Sequence, residues 1–212
     1  MTAGRFVTFE GGEGVGKSTQ ARLLAAALEA RGVNVVLTRE PGGTPGAETI
    51  RNLLLANEGN GWNARAEALL FAAARSDHVE RLIRPALAQG HWVICDRFID
   101  SSRAYQGGGS GLEDHDLLNL HAIGSAGLLP DRTILIEVPA EVTAARLAQR
   151  DGAAVDRIGG RSAEYHTRVA QAFAQLADAG PERFVRVDGL GERDAIHARI
   201  LESLVAMLGT TP

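Results

Sequence analysis

The sequence predicts an α/β fold: a five-stranded parallel sheet covered on both faces by helices. Three observations carry that expectation. The strand candidates are short, continuous apolar runs with no alternation, as in strands buried on both faces. Stretches with apolar residues at helical spacing separate them, the arrangement that forces parallel pairing. A glycine-rich loop stands between the first strand and the first helix, at Gly11–Ser18.

Taken in order, Arg5–Glu10 (RFVTFE) is the first strand, and residues 18–31 form a helix with Leu23, Leu24, Ala27 and Leu28 on one side. Gly32 stops it. Val33–Leu37 reads as the second strand. Trp92–Cys95, ending in Asp96, is the third; Thr133–Val138 is the fourth; Phe184–Val187 is the fifth. Helices are expected near 46–57, 64–89, 113–126, 140–150, 162–179 and 192–208. Two glycine-rich patches interrupt the pattern, Gly107–Gly109 with Gly111, and Gly152 with Gly159–Gly160. The second lies among arginines and reads as a mobile lid, about 146–165, on a single domain spanning 1–212.

Composition narrows the function. The chain has 212 residues, 45% of them hydrophobic, and a formal net charge of −4. That balance argues against a nucleic-acid coat or a membrane-surface protein. Cys95 is the one cysteine, so an intrachain disulfide and a cysteine zinc cluster are both impossible. No signal peptide or membrane-spanning run is visible, and a cytoplasmic location is expected. The six histidines show no metal-ligand spacing and are expected on surfaces or helix faces, with no metal assigned to them.

Lys17 is the only lysine among 22 basic residues, and it stands in Gly11-Gly12-Glu13-Gly14-Val15-Gly16-Lys17-Ser18. This fits G-x-x-x-x-G-K-[ST]. Glycines let backbone N–H groups surround a phosphate, and the helix N-terminus adds its positive end. The ammonium is a compact charge on a flexible stem that can follow a phosphate as it moves. Ser18 can place a hydroxyl on Mg²⁺, and Asp96, ending an apolar strand, is its acidic companion. Arg97, next in sequence, projects toward the crevice where such sheets bind ligands and can clamp a phosphate bidentately.

At this point the residues resemble a family. Asp96–Gln106 (DRFIDSSRAYQ) is similar to the D-R-[YFH]-x-x-S-x-x-A-Y-Q signature of thymidylate kinases. Thr38–Thr44 resembles their T-R-E-P-G-G stretch and Leu70–Arg75 their L-F-A-A-x-R. Asp156-Arg157-Ile158, with Tyr165 and Arg168, resembles their lid. Phe98 departs from the more usual Tyr or His, and Gly159-Gly160 replaces a commonly polar stretch.

The resemblance implies a P-loop three-layer sandwich that transfers the γ-phosphoryl of ATP to dTMP with Mg²⁺, in a homodimer. It implies ATP contacts from Gly11, Gly12, Glu13, Gly14, Val15, Gly16, Lys17, Ser18 and Thr19, and Mg²⁺ contacts from Ser18 and Asp96. It implies a dTMP site in which Arg51 and Arg97 grip the phosphate. Phe71 stacks on the base, Arg75 and Ser102 meet its edge with Gln106 close by, and Tyr105 crowds C2′. Glu13 faces the sugar, and Glu40 and Ser101 complete the site. The loop has no basic residue between Gly11 and Gly16, so the resemblance is to the type whose lid supplies the cation. Arg150 or Arg157 is expected to join Lys17 and Arg97 as a catalytic residue, with Arg146 and Arg161 as alternatives.

Two rivals remain. Another small kinase on this scaffold could act on a different nucleotide, or on a nucleoside with Glu40 as base, though Arg51 and Arg97 favour a phosphorylated acceptor. A nucleotide switch or partition ATPase needs lysines that this chain lacks.

Overall fold

The computed structural model describes residues 4–56, 61–150 and 157–208. Its five strands are β1 (Arg5–Glu10), β2 (Val35–Arg39), β3 (Trp92–Asp96), β4 (Arg132–Glu137) and β5 (Phe184–Asp188). All pairings are parallel, in the order β2-β3-β1-β4-β5. The register sets Phe9 and Arg39 against Asp96, and Glu10 against Leu135. The chain leaves β1 toward β2 on one side and later adds β4 on the other. The resulting switch point at the carboxyl end of β1 is where open α/β sheets bind ligands.

Helices α1 (Lys17–Glu29), α2 (Pro45–Leu55), α3 (Ala64–His78) and α4 (Arg84–Ala88) come first. Then follow α5 (Ile99–Ser102), α6 (Asp114–Ser125), α7 (Ala140–Arg150), α8 (Ala163–Ala179), α9 (Arg193–Ser203) and α10 (Val205–Leu208). Several starts are written in the sequence. Thr44, Asn63 and Ser162 accept from the N–H groups of Ala47, Ala66 and Tyr165, each three residues on. One core layer packs Val7, Phe9, Leu24, Leu28, Ile94 and Ile134 with Ile196 and Ile200 of α9. On the other face Phe6, Val93, Phe98 and Ile99 meet Val79 and Ile83.

Some expected boundaries move. β2 begins at Val35 because Val33 donates its N–H to the carbonyl of Leu28, closing the end of α1. The expected single helix at 64–89 contains a π-helical turn, Val79–Ile83, between α3 and α4. Gly107–Gly109 is no interruption: it belongs to a second π-helical turn, Arg103–Gly109, that continues α5. A Cβ on Gly108 or Gly109 would fall 2.4 Å from Ala172 Cβ or 2.5 Å from the Tyr165 ring. These glycines let α8 approach closely, a tertiary demand that local sequence does not announce. His78 and His121 lie on helices, as expected, and face inward: both are buried. His78 bridges Thr38 Oγ1 at 2.8 Å and Glu40 Oε1 at 3.1 Å.

Candidate active site

The carboxyl ends of β1, β2 and β3 open into a cavity of about 520 Å³. Lys17, Ser18, Thr19 and Asp96 line one end; Arg51, Phe71, Arg75, Ser102, Tyr105 and Gln106 line the other. Glu13, Arg97 and Ser101 line it too. The sequence thus placed donor-side and acceptor-side candidates separately, and the fold joins them in one space.

The loop is shaped by backbone constraints. Gly11 has φ 131° and Gly16 φ 101°, both left-handed. A Cβ on Gly11 would lie 2.5 Å from the Ile136 carbonyl oxygen. Lys17 Nζ donates to the carbonyls of Gly11 at 3.1 Å and Gly12 at 2.5 Å. Burial, followed by the nearby Arg97 guanidinium, lowers the Lys17 pKa to about 8. Ser18 Oγ donates to Asp96 Oδ2, while Asp96 Oδ1 is buried with no hydrogen-bond partner. A hydroxyl beside a carboxylate with one unpaired buried oxygen suits a hard cation that keeps several waters, so the residues fit Mg²⁺.

Arg97 has φ 72°, unusual for a residue with a side chain. The strain is held from behind. Glu10, fully buried, accepts from the N–H of Phe98 at 2.8 Å, the N–H of Ser101 at 3.2 Å and the Ser101 hydroxyl at 2.5 Å. Burial, then the charge of Asp100, raises the pKa of Glu10. Asp100 is itself buried and takes two hydrogen bonds from Arg183, at 2.6 and 3.0 Å. These contacts turn the Arg97 guanidinium into the cavity. It donates to Glu13 Oε1 at 2.6 Å, the Ser101 hydroxyl at 3.1 Å and the Tyr105 hydroxyl at 3.2 Å. It also lies 4.9 Å from the Tyr105 ring centroid. Arg97 holds the Glu13 carboxyl down at a pKa of about 2.

At the far end Arg75 is buried and fully directed. Its Nε donates to Glu40 Oε2 at 2.8 Å, and its Nη2 to Ser102 Oγ at 2.9 Å and the Phe98 carbonyl at 3.2 Å. Glu40 holds Arg75 on one oxygen and His78 on the other, which removes it as a free base for a nucleoside hydroxyl. Arg51 donates to the Pro41 carbonyl at 2.8 Å. Gln106 Nε2 donates to Glu67 Oε1 at 2.9 Å.

The expected lid arginines separate. Arg146 lines the cavity and donates to the Gly189 carbonyl at 3.0 Å. Arg157 Nη2 donates to the Leu54 carbonyl at 2.9 Å and stands 3.5 Å from Glu67 Oε2, so it is not brought to the phosphate loop here. The side chain of Arg150 and residues 151–156 of the lid lie outside the described part of the structure. Sequence reading missed Glu10, Glu67 and Asp100. Glu10, at the end of an apolar strand, offered a signal; Glu67 and Asp100 did not, because their partners Gln106, Arg161 and Arg183 lie far along the chain.

Comparison with known proteins points to one family. A model of the thymidylate kinase family matches residues 9–200. A thymidylate kinase of Rhizorhabdus wittichii is 57% identical, covering 97% of this chain and 99% of its own length. One from Caulobacter vibrioides is 46% identical, covering 99% and 100%. The crystal structure of thymidylate kinase from Ehrlichia chaffeensis has a TM-score of 0.76 at 36% identity, covering 95% of this chain and 99% of that one.

Proposed function

The chain belongs to the thymidylate kinase family and converts dTMP to dTDP, and from that premise we propose how its own residues do so. The observation that carries the proposal is the single cavity with Lys17 at one end and Arg75 at the other. ATP enters with its phosphates on the amides of Gly11–Ser18, and Lys17 leaves the loop carbonyls for the β- and γ-phosphates. Ser18 and Asp96 would hold Mg²⁺, which would offset the charge of the phosphates. Arg97 and Arg51 bind the acceptor phosphate. Glu13 keeps the Arg97 guanidinium aimed until that phosphate displaces it.

The acceptor is already an anion, so no base is required. Catalysis is positioning and charge stabilisation as the two phosphates are brought into line. Arg75 can only donate, so it suits a carbonyl on the base edge and opposes an amino group. Phe71 supplies an apolar face for the ring, and Tyr105 closes the sugar side against a 2′-hydroxyl. A lid arginine, Arg150 or Arg157, supplies the last cation on closure, which for Arg157 requires leaving Leu54 and Glu67.

We place the enzyme in the cytoplasm as a homodimer. Supporting this, no described helix is long and apolar enough to cross a membrane. The adjacent α3 and α6 expose Leu69, Leu118 and Ile123, the last 85% exposed.

A panel of nucleoside monophosphates with ATP and Mg²⁺ tests the reading. dTMP should have the highest kcat/KM and dUMP a value about 10- to 200-fold lower, the range one methyl allows. A faster reaction with dCMP or AMP would overturn it.

A further inference from the structure

Glu67 lies in the first turns of α3, and its side chain is 0% exposed. It borders the acceptor end of the cavity without lining it. Its Oε1 accepts from Gln106 Nε2 at 2.9 Å. Its Oε2 accepts from Arg161 Nη2 at 2.5 Å and faces Arg157 Nη2 at 3.5 Å. Both arginines are fixed from elsewhere too. Arg157 reaches the Leu54 carbonyl at 2.9 Å; Arg161 reaches Ser110 Oγ at 3.2 Å and lies 4.6 Å from the Tyr165 ring centroid. Two guanidinium groups thus compensate one buried carboxylate, the condition under which such a charge is tolerated.

A carboxylate accepts hydrogen bonds and cannot donate them, so the Gln106 group facing Glu67 must be its NH₂. With its NH₂ turned toward Glu67, the amide presents its carbonyl oxygen as the acceptor for the cavity that Gln106 lines. We propose that Glu67 is a specificity-determining positioning residue: it fixes the Gln106 amide with its acceptor toward the base. This rests on the acceptor site proposed above and deepens it. Beside Arg75, which only donates, the site presents a donor and an acceptor side by side. Thymine and uracil answer with a carbonyl and a ring N–H. Cytosine, with an amino group and an unprotonated ring nitrogen, has the opposite order. Freed from Glu67, the Gln106 amide could turn over and meet the cytosine ring nitrogen with its NH₂.

The test is the ratio of kcat/KM for dTMP to that for dCMP in wild type and Glu67→Gln, whose amide can either donate or accept. The dTMP:dCMP ratio should fall about tenfold or more, while the dTMP:dUMP ratio, which senses only the methyl group, stays level. A merely structural role would lower all three substrates together and leave both ratios unchanged, overturning the proposal. If Glu67→Gln fails to fold because its arginines lose their counter-charge, Glu67→Gln/Arg161→Met serves the same comparison. Its dTMP:dCMP ratio must also fall. Gln106→Met supplies the cycle: adding Glu67→Gln to it should change the ratio no further, and a further tenfold change would contradict action through Gln106. Failure of the acceptor reading is distinguishable, since wild type itself would then show no preference for dTMP over dCMP.

Discussion

Lys17 and the arginines of 146–161 are the two sets of cations proposed for phosphate, yet they reach their places differently. Lys17 is positioned by its own loop: it stands five positions along the chain from the Gly12 carbonyl that it touches. Arg157 and Arg161 are positioned across the fold, by a carbonyl, a hydroxyl and a carboxylate 51 to 103 residues away in sequence. A local device is assembled before substrate arrives. A long-range one depends on other elements and can be redirected by what binds. The same contrast holds within the acceptor site. Arg97 takes its backbone twist locally, but Glu10, 91 residues from Ser101, secures it.

The comparison breaks if both cation sets behave alike. Arg150→Ala/Arg157→Ala should reduce kcat on the order of 10³-fold, the scale of a positioned arginine in phosphoryl transfer. The Kd for dTMP should change little, because Arg51, Arg75 and Arg97 remain. Steady-state kinetics with a dTMP titration separates the two effects; near-normal kcat in the double variant would remove the lid from the chemistry. Lys17→Ala should lower kcat on the order of 10²-fold. Lys17→Arg should recover only part of it, since a planar fork does not replace a point charge. Full activity in Lys17→Ala would dissolve the loop assignment.

The smallest effect sharpens the contrast through protons. Burial and Arg97 bring Lys17 to about 8 without ligand, and bound phosphates favour its charged form. At pH 8, ATP binding should therefore take up roughly half a proton, fading by pH 6.5 where Lys17 is already charged. Calorimetry in two buffers of different ionisation heat measures this, and Lys17→Ala should abolish it. For the free protein the sign is fixed as well. The unfolded chain holds the proton to about 10.5, so this residue's contribution to stability rises with pH between about 8 and 10.5. No change in uptake between the two pH values would contradict the buried, loop-held ammonium.

The same contrast explains what the sequence could disclose. The five strands, most helices and the phosphate loop are local statements: apolar runs, caps at Thr44, Asn63 and Ser162, and glycines at fixed offsets. Asp96, Arg97, Phe71, Arg75, Ser102, Tyr105 and Gln106 were legible because they resemble known signatures, and the fold gathers them in one cavity. The π-helical turn at 103–109 was not legible, because its glycines answer to α8 rather than to their neighbours. Glu67 was not legible either. Its partners come from the second π turn and from residues 157–161, and nothing near position 67 names them.

The central claim is that one cavity holds donor and acceptor phosphates in line, so a single molecule that bridges them tests it most directly. Calorimetric titration of adenosine and thymidine joined 5′ to 5′ through five phosphates, with Mg²⁺, should give a Kd on the order of 10²-fold below that of ATP or dTMP, whichever binds more tightly. Linking makes the second contact intramolecular. A two-phosphate linker, which lacks the phosphates to fill both the donor and the acceptor positions, should lose that gain. Equal affinities for both linkers, no tighter than the better single nucleotide, would contradict a shared site.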